Sequence, residues 1–236
     1  MNNPGEYTLI CLPYAGGNRY AYNAFRPVCP GGIRLLTPEL PGRGARCSEK
    51  ACRDLYPLAD DVLDQVTDCL PGPYAIYGHS MGALLGYLLT RKIVQSGRPA
   101  PLHLFVTGCR APQAAGTAAL TYNLPSGRFL ETIRALGGCP EAFFGSQQLV
   151  QFYEPILRAD VESVETFRYT PGPPLDVPIT VGIGRDEKIS LAQAHRWAQE
   201  TEGPFELRTF PGNHFFIFDQ ASRLLDLIGR KTCTFA

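Results

Sequence analysis

The sequence has no surplus of either charge: 22 Lys and Arg residues balance 22 Asp and Glu over 236 residues. Without a whole-protein field, recruitment of nucleic acid or of an anionic membrane by charge alone is set aside. An export leader is missing as well. The opening Met-Asn-Asn-Pro-Gly-Glu-Tyr has no basic start and no apolar stretch of signal length, which predicts a cytoplasmic protein. Apolar runs such as 83–89 fall far short of the roughly 18 residues a membrane-spanning helix requires, so no membrane role is expected. The eight cysteines (Cys11, Cys29, Cys47, Cys52, Cys69, Cys109, Cys139 and Cys233) include no C-x-x-C pair, and several sit inside apolar runs. They read as buried or incidental thiols, not as a disulfide framework or a zinc site.

What is present is a globular composition, 44% hydrophobic and 19% charged, enough to bury a core. At about 150 residues per domain, the length fits a single domain over 1–236 that carries an insertion, with a monomer as the default state. Short apolar runs rich in β-branched and aromatic residues recur at 7–12, 33–37, 74–77, 102–107, 179–183 and 205–210. Helical periodicity fills the gaps at 58–70, 81–95, 191–200 and 221–229. That alternation predicts an α/β architecture, a mostly parallel central sheet flanked by helices. The rhythm fails over 112–174, where helix-like pieces at 127–136, 147–157 and 159–167 appear without a convincing strand. Bordered by Arg110-Ala111-Pro112 and Pro171-Gly172-Pro173-Pro174, this segment reads either as a helical lid hinged over a site or as an elaborated crossover.

Gly78-His79-Ser80-Met81-Gly82 is a G-x-S-x-G motif between the 74–77 strand and the 81–95 helix. A strand-to-helix turn of this kind lifts the serine hydroxyl above the sheet, and the glycines let neighbouring backbone pass without a Cβ clash. Ser80 is therefore the candidate nucleophile of an α/β-hydrolase fold. Its hydroxyl needs a base. Of the four histidines, His79 adjoins the serine and reads as structural, His103 begins a strand, and His195 lies in a helical pattern. His214, in the Pro211-Gly212-Asn213-His214-Phe215-Phe216 loop after the last strand, is the one placed where catalytic loops gather. Asp186, in Gly184-Arg185-Asp186 after the fifth strand, completes the chain order Ser80, Asp186, His214; its rival is Glu187, one residue on. The segment after the fourth strand, Gly108-Cys109-Arg110, offers no acid. For the oxyanion, the expected donors are the backbone N–H groups of Met81 and of Ala15 in Pro13-Tyr14-Ala15-Gly16-Gly17.

Together these residues resemble the type II thioesterases, the free-standing editing enzymes that accompany non-ribosomal peptide and polyketide synthases. The likeness runs through Leu12-Pro13-Tyr14-Ala15-Gly16-Gly17, the P-G-R-x-x-R of Pro41-Gly42-Arg43-Gly44-Ala45-Arg46, Gly78-His79-Ser80-Met81-Gly82-Ala83 and Gly108-Cys109-Arg110-Ala111-Pro112. It continues through Leu136-Gly137-Gly138, Leu157-Arg158-Ala159-Asp160, Gly184-Arg185-Asp186 and Gly212-Asn213-His214-Phe215-Phe216, and so spans nearly the whole chain. It implies hydrolysis of acyl groups from the phosphopantetheine arm of acyl or peptidyl carrier proteins, with no cofactor or metal in the enzyme itself. Two departures stand out: 124–129 lacks the acidic residue many relatives carry, and Cys109 replaces a more usual arginine or serine. Arg43 and Arg46 read as a structural turn in preference to a carrier-protein contact. The competing readings are a general carboxylesterase or lipase, a chain-releasing synthase domain, and a catalytically dead receptor of the same fold.

Overall fold

The computed structural model describes residues 6–115 and 120–232; Cys233 lies outside them. Six strands, β1 (Tyr7–Leu12), β2 (Ile33–Leu36), β3 (Tyr74–His79), β4 (Leu104–Thr107), β5 (Ile179–Gly184) and β6 (Phe205–Phe210), form one sheet in the order β2-β1-β3-β4-β5-β6. Every pairing is parallel, so the expected mostly parallel sheet is parallel throughout the described residues. Among the described residues there are eight α-helices: α1 (Leu55–Val66), α2 (Met81–Gln95), α3 (Ser126–Leu136), α4 (Glu141–Phe144), α5 (Gln147–Glu165), α6 (Leu191–His195), α7 (Phe216–Asp219) and α8 (Ala221–Thr232). None of them is long and apolar enough to cross a membrane.

The strands are apolar on both faces because both faces are covered. Along β1, Ile10 and Leu12 join the core under α1 and α2, whereas Tyr7, Leu9 and Cys11 join the core under α7 and α8. β3 repeats the division, with Tyr74 and Ile76 on the first side and Ala75 and Tyr77 on the second. This period-two split is what a fully buried strand dictates.

The chain runs from β1 outward to β2, then returns to place β3 on the other side of β1. Connections leaving β1 and β3 therefore diverge, opening a crevice at their carboxyl ends. Glycines let the backbone close around it: a Cβ on Gly82 would lie 2.2 Å from Leu12 O, and one on Gly78 would lie 2.0 Å from Gly82 O. The first turn of α2 thus abuts the loop that follows β1.

Between β4 and β5 the described residues hold α3, α4 and α5 and no strand. The pieces expected at 147–157 and 159–167 are one helix, α5. Pro155 lies inside it, and Arg158, at the gap between the two pieces, is held in the helix by its ion pair with Glu154 and packs over the Phe129 ring; Asp160 is buried with Arg43. These helices share a small core of their own, Phe129, Ile133, Phe143 and Leu157. Both roots of the segment are tied to the body through Glu200, which accepts hydrogen bonds from Gln113 and from Tyr169 (2.8 Å).

Candidate active site

Ser80 sits at the turn from β3 into α2 with φ 55° and ψ −117°. Among the described residues it is the sole non-glycine at positive φ. Such a conformation costs about 1–3 kcal/mol and persists only where the surroundings enforce it. Here the Ser80 N–H donates to Thr107 O (2.8 Å), pinning the turn to β4, and the two glycines admit the close backbone.

His214 faces this turn. Its ring lies 4.8 Å from that of His79, centroid to centroid. A Cβ on Gly108, adjacent to Thr107, would sit 3.2 Å from His214 Cε1. Among the described residues no hydrogen bond joins Ser80 Oγ to the imidazole; in unliganded enzymes such contacts commonly tighten only when substrate arrives.

The carboxylate paired with His214 is Glu187, not Asp186. Glu187 Oε1 lies 2.5 Å from His214 Nδ1, and its side chain is 3% exposed. The turn after β5 makes the choice. Glu187 N–H donates to Gly184 O (3.3 Å), while Gly184 N–H donates back to Glu187 Oε2 (2.9 Å), which folds this side chain inward. Asp186 N–H is used by Gly212 O (3.1 Å), and the residue is exposed. Asp186 therefore ties the two loops together through its backbone, and Glu187 is the carboxylate that meets His214. Gly184 has a part in this as well, since a Cβ there would lie 2.5 Å from Asn213 O and hold the histidine loop away. Cys109, after β4, has its thiol pushed up to about 12 by burial and by the neighbouring Glu187 charge, so it presents a neutral thiol to the pair.

The other histidines are used elsewhere. His79 is fully buried, 3.0 Å from Thr107 Oγ1, and burial together with His214 holds its pKa well below the ordinary value. It is a neutral ring packed behind the Ser80 turn and the His214 loop. His103 stacks on Phe105 (4.1 Å) and lies 2.8 Å from Thr180 Oγ1, while His195 is exposed against Phe205.

In the loop after β1, where the sequence places an oxyanion donor, Tyr14 to Gly17 form a turn closed by the Gly17 N–H to Tyr14 O bond (2.8 Å). Gly16 has φ +77°, and its N–H donates to Asp160 Oδ2 (2.7 Å). With the N–H groups of Gly16 and Gly17 committed, that of Ala15 is uncommitted within the turn. The N–H of Met81, in the first turn of α2, has no intrahelical acceptor. The packing of Gly82 against Leu12 O and Pro13 O brings these two stretches together.

The sequence pattern did not show what holds the site from beneath. Arg43, 1% exposed, forms a two-pronged ion pair with Asp160 of α5 (2.6 and 2.7 Å) and donates to Gly17 O (3.0 Å). Arg46 pairs with Asp61 and Glu49. The structural reading of the P-G-R-x-x-R segment fits both residues.

Residues 7–232 match the family model of the thioesterase domain. The gramicidin S biosynthesis protein GrsT of Aneurinibacillus migulanus is 30% identical over 232 residues, covering 98% of this chain and 91% of that protein. The thioesterase PikA5 of Streptomyces venezuelae is 33% identical over 214 residues, 90% of this chain and 76% of that protein. Among solved structures, the RedJ thioesterase from the prodiginine biosynthetic pathway of Streptomyces coelicolor superposes with a TM-score of 0.89 at 36% identity. It covers 95% of this chain and 85% of that one.

Proposed function

The chain belongs to the thioesterase family, and we propose that it hydrolyses acyl thioesters carried on the phosphopantetheine arm of carrier proteins, clearing stalled or misprimed synthases of non-ribosomal peptide or polyketide assembly. Ser80 Oγ attacks the thioester carbonyl as its proton passes to His214 Nε2. The oxyanion is received by the N–H groups of Ala15 and Met81. The C–S bond then breaks, and His214 returns the proton to the leaving thiolate. Water attacks the acyl-serine next, giving its proton to His214, and the carboxylic acid departs as Ser80 recovers its hydrogen. Glu187 holds the imidazole tautomer and stabilises the charge it acquires. No cofactor enters this sequence of steps. The helices between β4 and β5, fastened through Glu200 at both roots, act as a lid over the acyl chain.

The observation that carries this reading is the meeting, at the carboxyl edge of the sheet, of a strained Ser80 with a His214–Glu187 pair 2.5 Å apart. Membership in the family and likeness to biosynthetic relatives support the choice of substrate. The test offers three substrates: an acyl carrier protein thioester, the matching acyl-pantetheine mimic and a p-nitrophenyl ester. Turnover should be fast, slow and slower in that order, and Ser80→Ala should abolish it with the fold intact. Preference for the oxygen ester would overturn the reading in favour of a general esterase. Binding without turnover would point to a receptor.

A further inference from the structure

Asp160 lies on α5, far along the chain from the serine turn, yet its carboxylate is one of the most connected groups in the molecule. One oxygen accepts from Gly16 N–H (2.7 Å) and from Arg43 Nη1 (2.6 Å), and the other accepts from Arg43 Nη2 (2.7 Å). Arg43 in turn donates to Gly17 O (3.0 Å). Both charged side chains are buried, at 1% and 0% exposure. Leu157, one turn earlier on α5, presses on the same loop, its Cδ2 only 2.5 Å from where a Cβ on Gly16 would lie. One turn later, Ser163 Oγ lies 3.8 Å from Met81 Sδ. Successive turns of one helix thus touch both walls of the oxyanion position.

We propose that Asp160, with Arg43, is a positioning residue that sets the geometry of the oxyanion donors, so that α5 is a structural part of the catalytic apparatus and not merely a cover over it. The inference rests on the reading of Ala15 and Met81 as those donors. Its physical basis is the turn at 14–17. Gly16 occupies the third position with φ +77°, as a type II turn requires, and the direction of its N–H decides which way the central peptide faces. An ionised acceptor locks that peptide, and Arg43 cancels the charge that would otherwise oppose a developing oxyanion. An uncompensated carboxylate at this distance would raise the barrier it is meant to help lower. A neutral apolar pair would fill the space yet leave Gly16 N–H without an acceptor.

That contrast supplies the experiment. Replacing a buried ion pair by apolar residues of similar size is often neutral or stabilising, so Arg43→Met combined with Asp160→Leu should fold with near-native thermal stability. If the pair only stabilises the fold, activity follows stability and is retained. If it positions the donors, kcat for the carrier thioester falls roughly 10- to 100-fold while KM moves less than about twofold. Affinity for an alkyl boronic acid, whose tetrahedral adduct on Ser80 places an oxygen at the oxyanion position, falls by the same factor as kcat/KM. The pH profile should keep its shape, because His214 and Glu187 are untouched. A folded double variant with wild-type kcat and wild-type boronate affinity overturns the proposal. Should the double variant misfold, Asp160→Asn, which preserves shape, is read by the same two measurements, with unchanged boronate affinity again overturning it. Indifference of the wild-type protein to the boronate would overturn the oxyanion reading and this inference with it, whereas weakened binding confined to the variants supports both.

Discussion

Two regions of the molecule handle burial in opposite ways. Around the β3 turn nearly every residue is enclosed, and α2 buries Met81 to Thr90 without interruption. Between β4 and β5, α3 buries only Phe129 and Ile133, and Leu120, Leu136, Leu149 and Phe152 stand exposed. The first region holds a strained serine and admits no added carbon atom at Gly78 or Gly82. The second surrounds a small core of its own and touches the site through α5 and through the Gly137-Gly138 turn packed against Phe215. Precision is concentrated where backbone passes backbone, and latitude where side chains face solvent.

The sharpest way to break this contrast is to add one carbon atom at the turn. Gly82→Ala would set a Cβ 2.2 Å from Leu12 O, with no flexible side chain to give way. We expect a loss of more than about 4 kcal/mol or outright misfolding, read from the urea midpoint and soluble yield. Next in size is the comparison of the two neighbouring acids. Glu187→Gln should lower kcat by roughly a thousandfold to ten-thousandfold, as when a triad acid is replaced by its amide, and Asp186→Asn should stay within about twofold. The reverse result would restore the acid expected from chain order.

Acid should act on the sheet region first, since 112–174 contains no histidine. Burial lowers His103 from 6.5 to about 4, and burial together with the neighbouring His214 holds His79 well below its ordinary value. Because the unfolded chain binds these protons more readily, stability is complete above about pH 6.5 and declines as pH falls toward 4. The loss attributable to His103 is on the order of 3 kcal/mol. Urea midpoints measured across that range check the sign, and His103→Phe should flatten the decline. The smallest effect belongs to the exposed helices: Leu149→Ser and Phe152→Ser should each shift stability by no more than about 0.5 kcal/mol.

How much of this was legible beforehand follows the same division. All six strands were readable because fully buried parallel strands are short apolar runs. Ser80 was readable because only glycines fit around its turn. His214 was readable because the last strand must deliver its loop to the same edge. The choice between Asp186 and Glu187 was not, since it depends on two hydrogen bonds to Gly184 that curl the longer side chain inward, and chain order is blind to them. Nor was the continuity of α5. Arg158, at the gap between the two pieces, reads as a break in the apolar pattern until its ion pair with Glu154 one turn earlier and its stacking over Phe129 are known.

The backbone at Ser80 carries one more lesson. A glycine there would adopt the same φ at far lower cost, so Ser80→Gly should yield a sturdier molecule with no chemistry left. Under the proposed mechanism, selection for heat resistance and selection for turnover pull this single codon in opposite directions, and a library screened for robustness alone would drift toward losing the hydroxyl that mechanism needs.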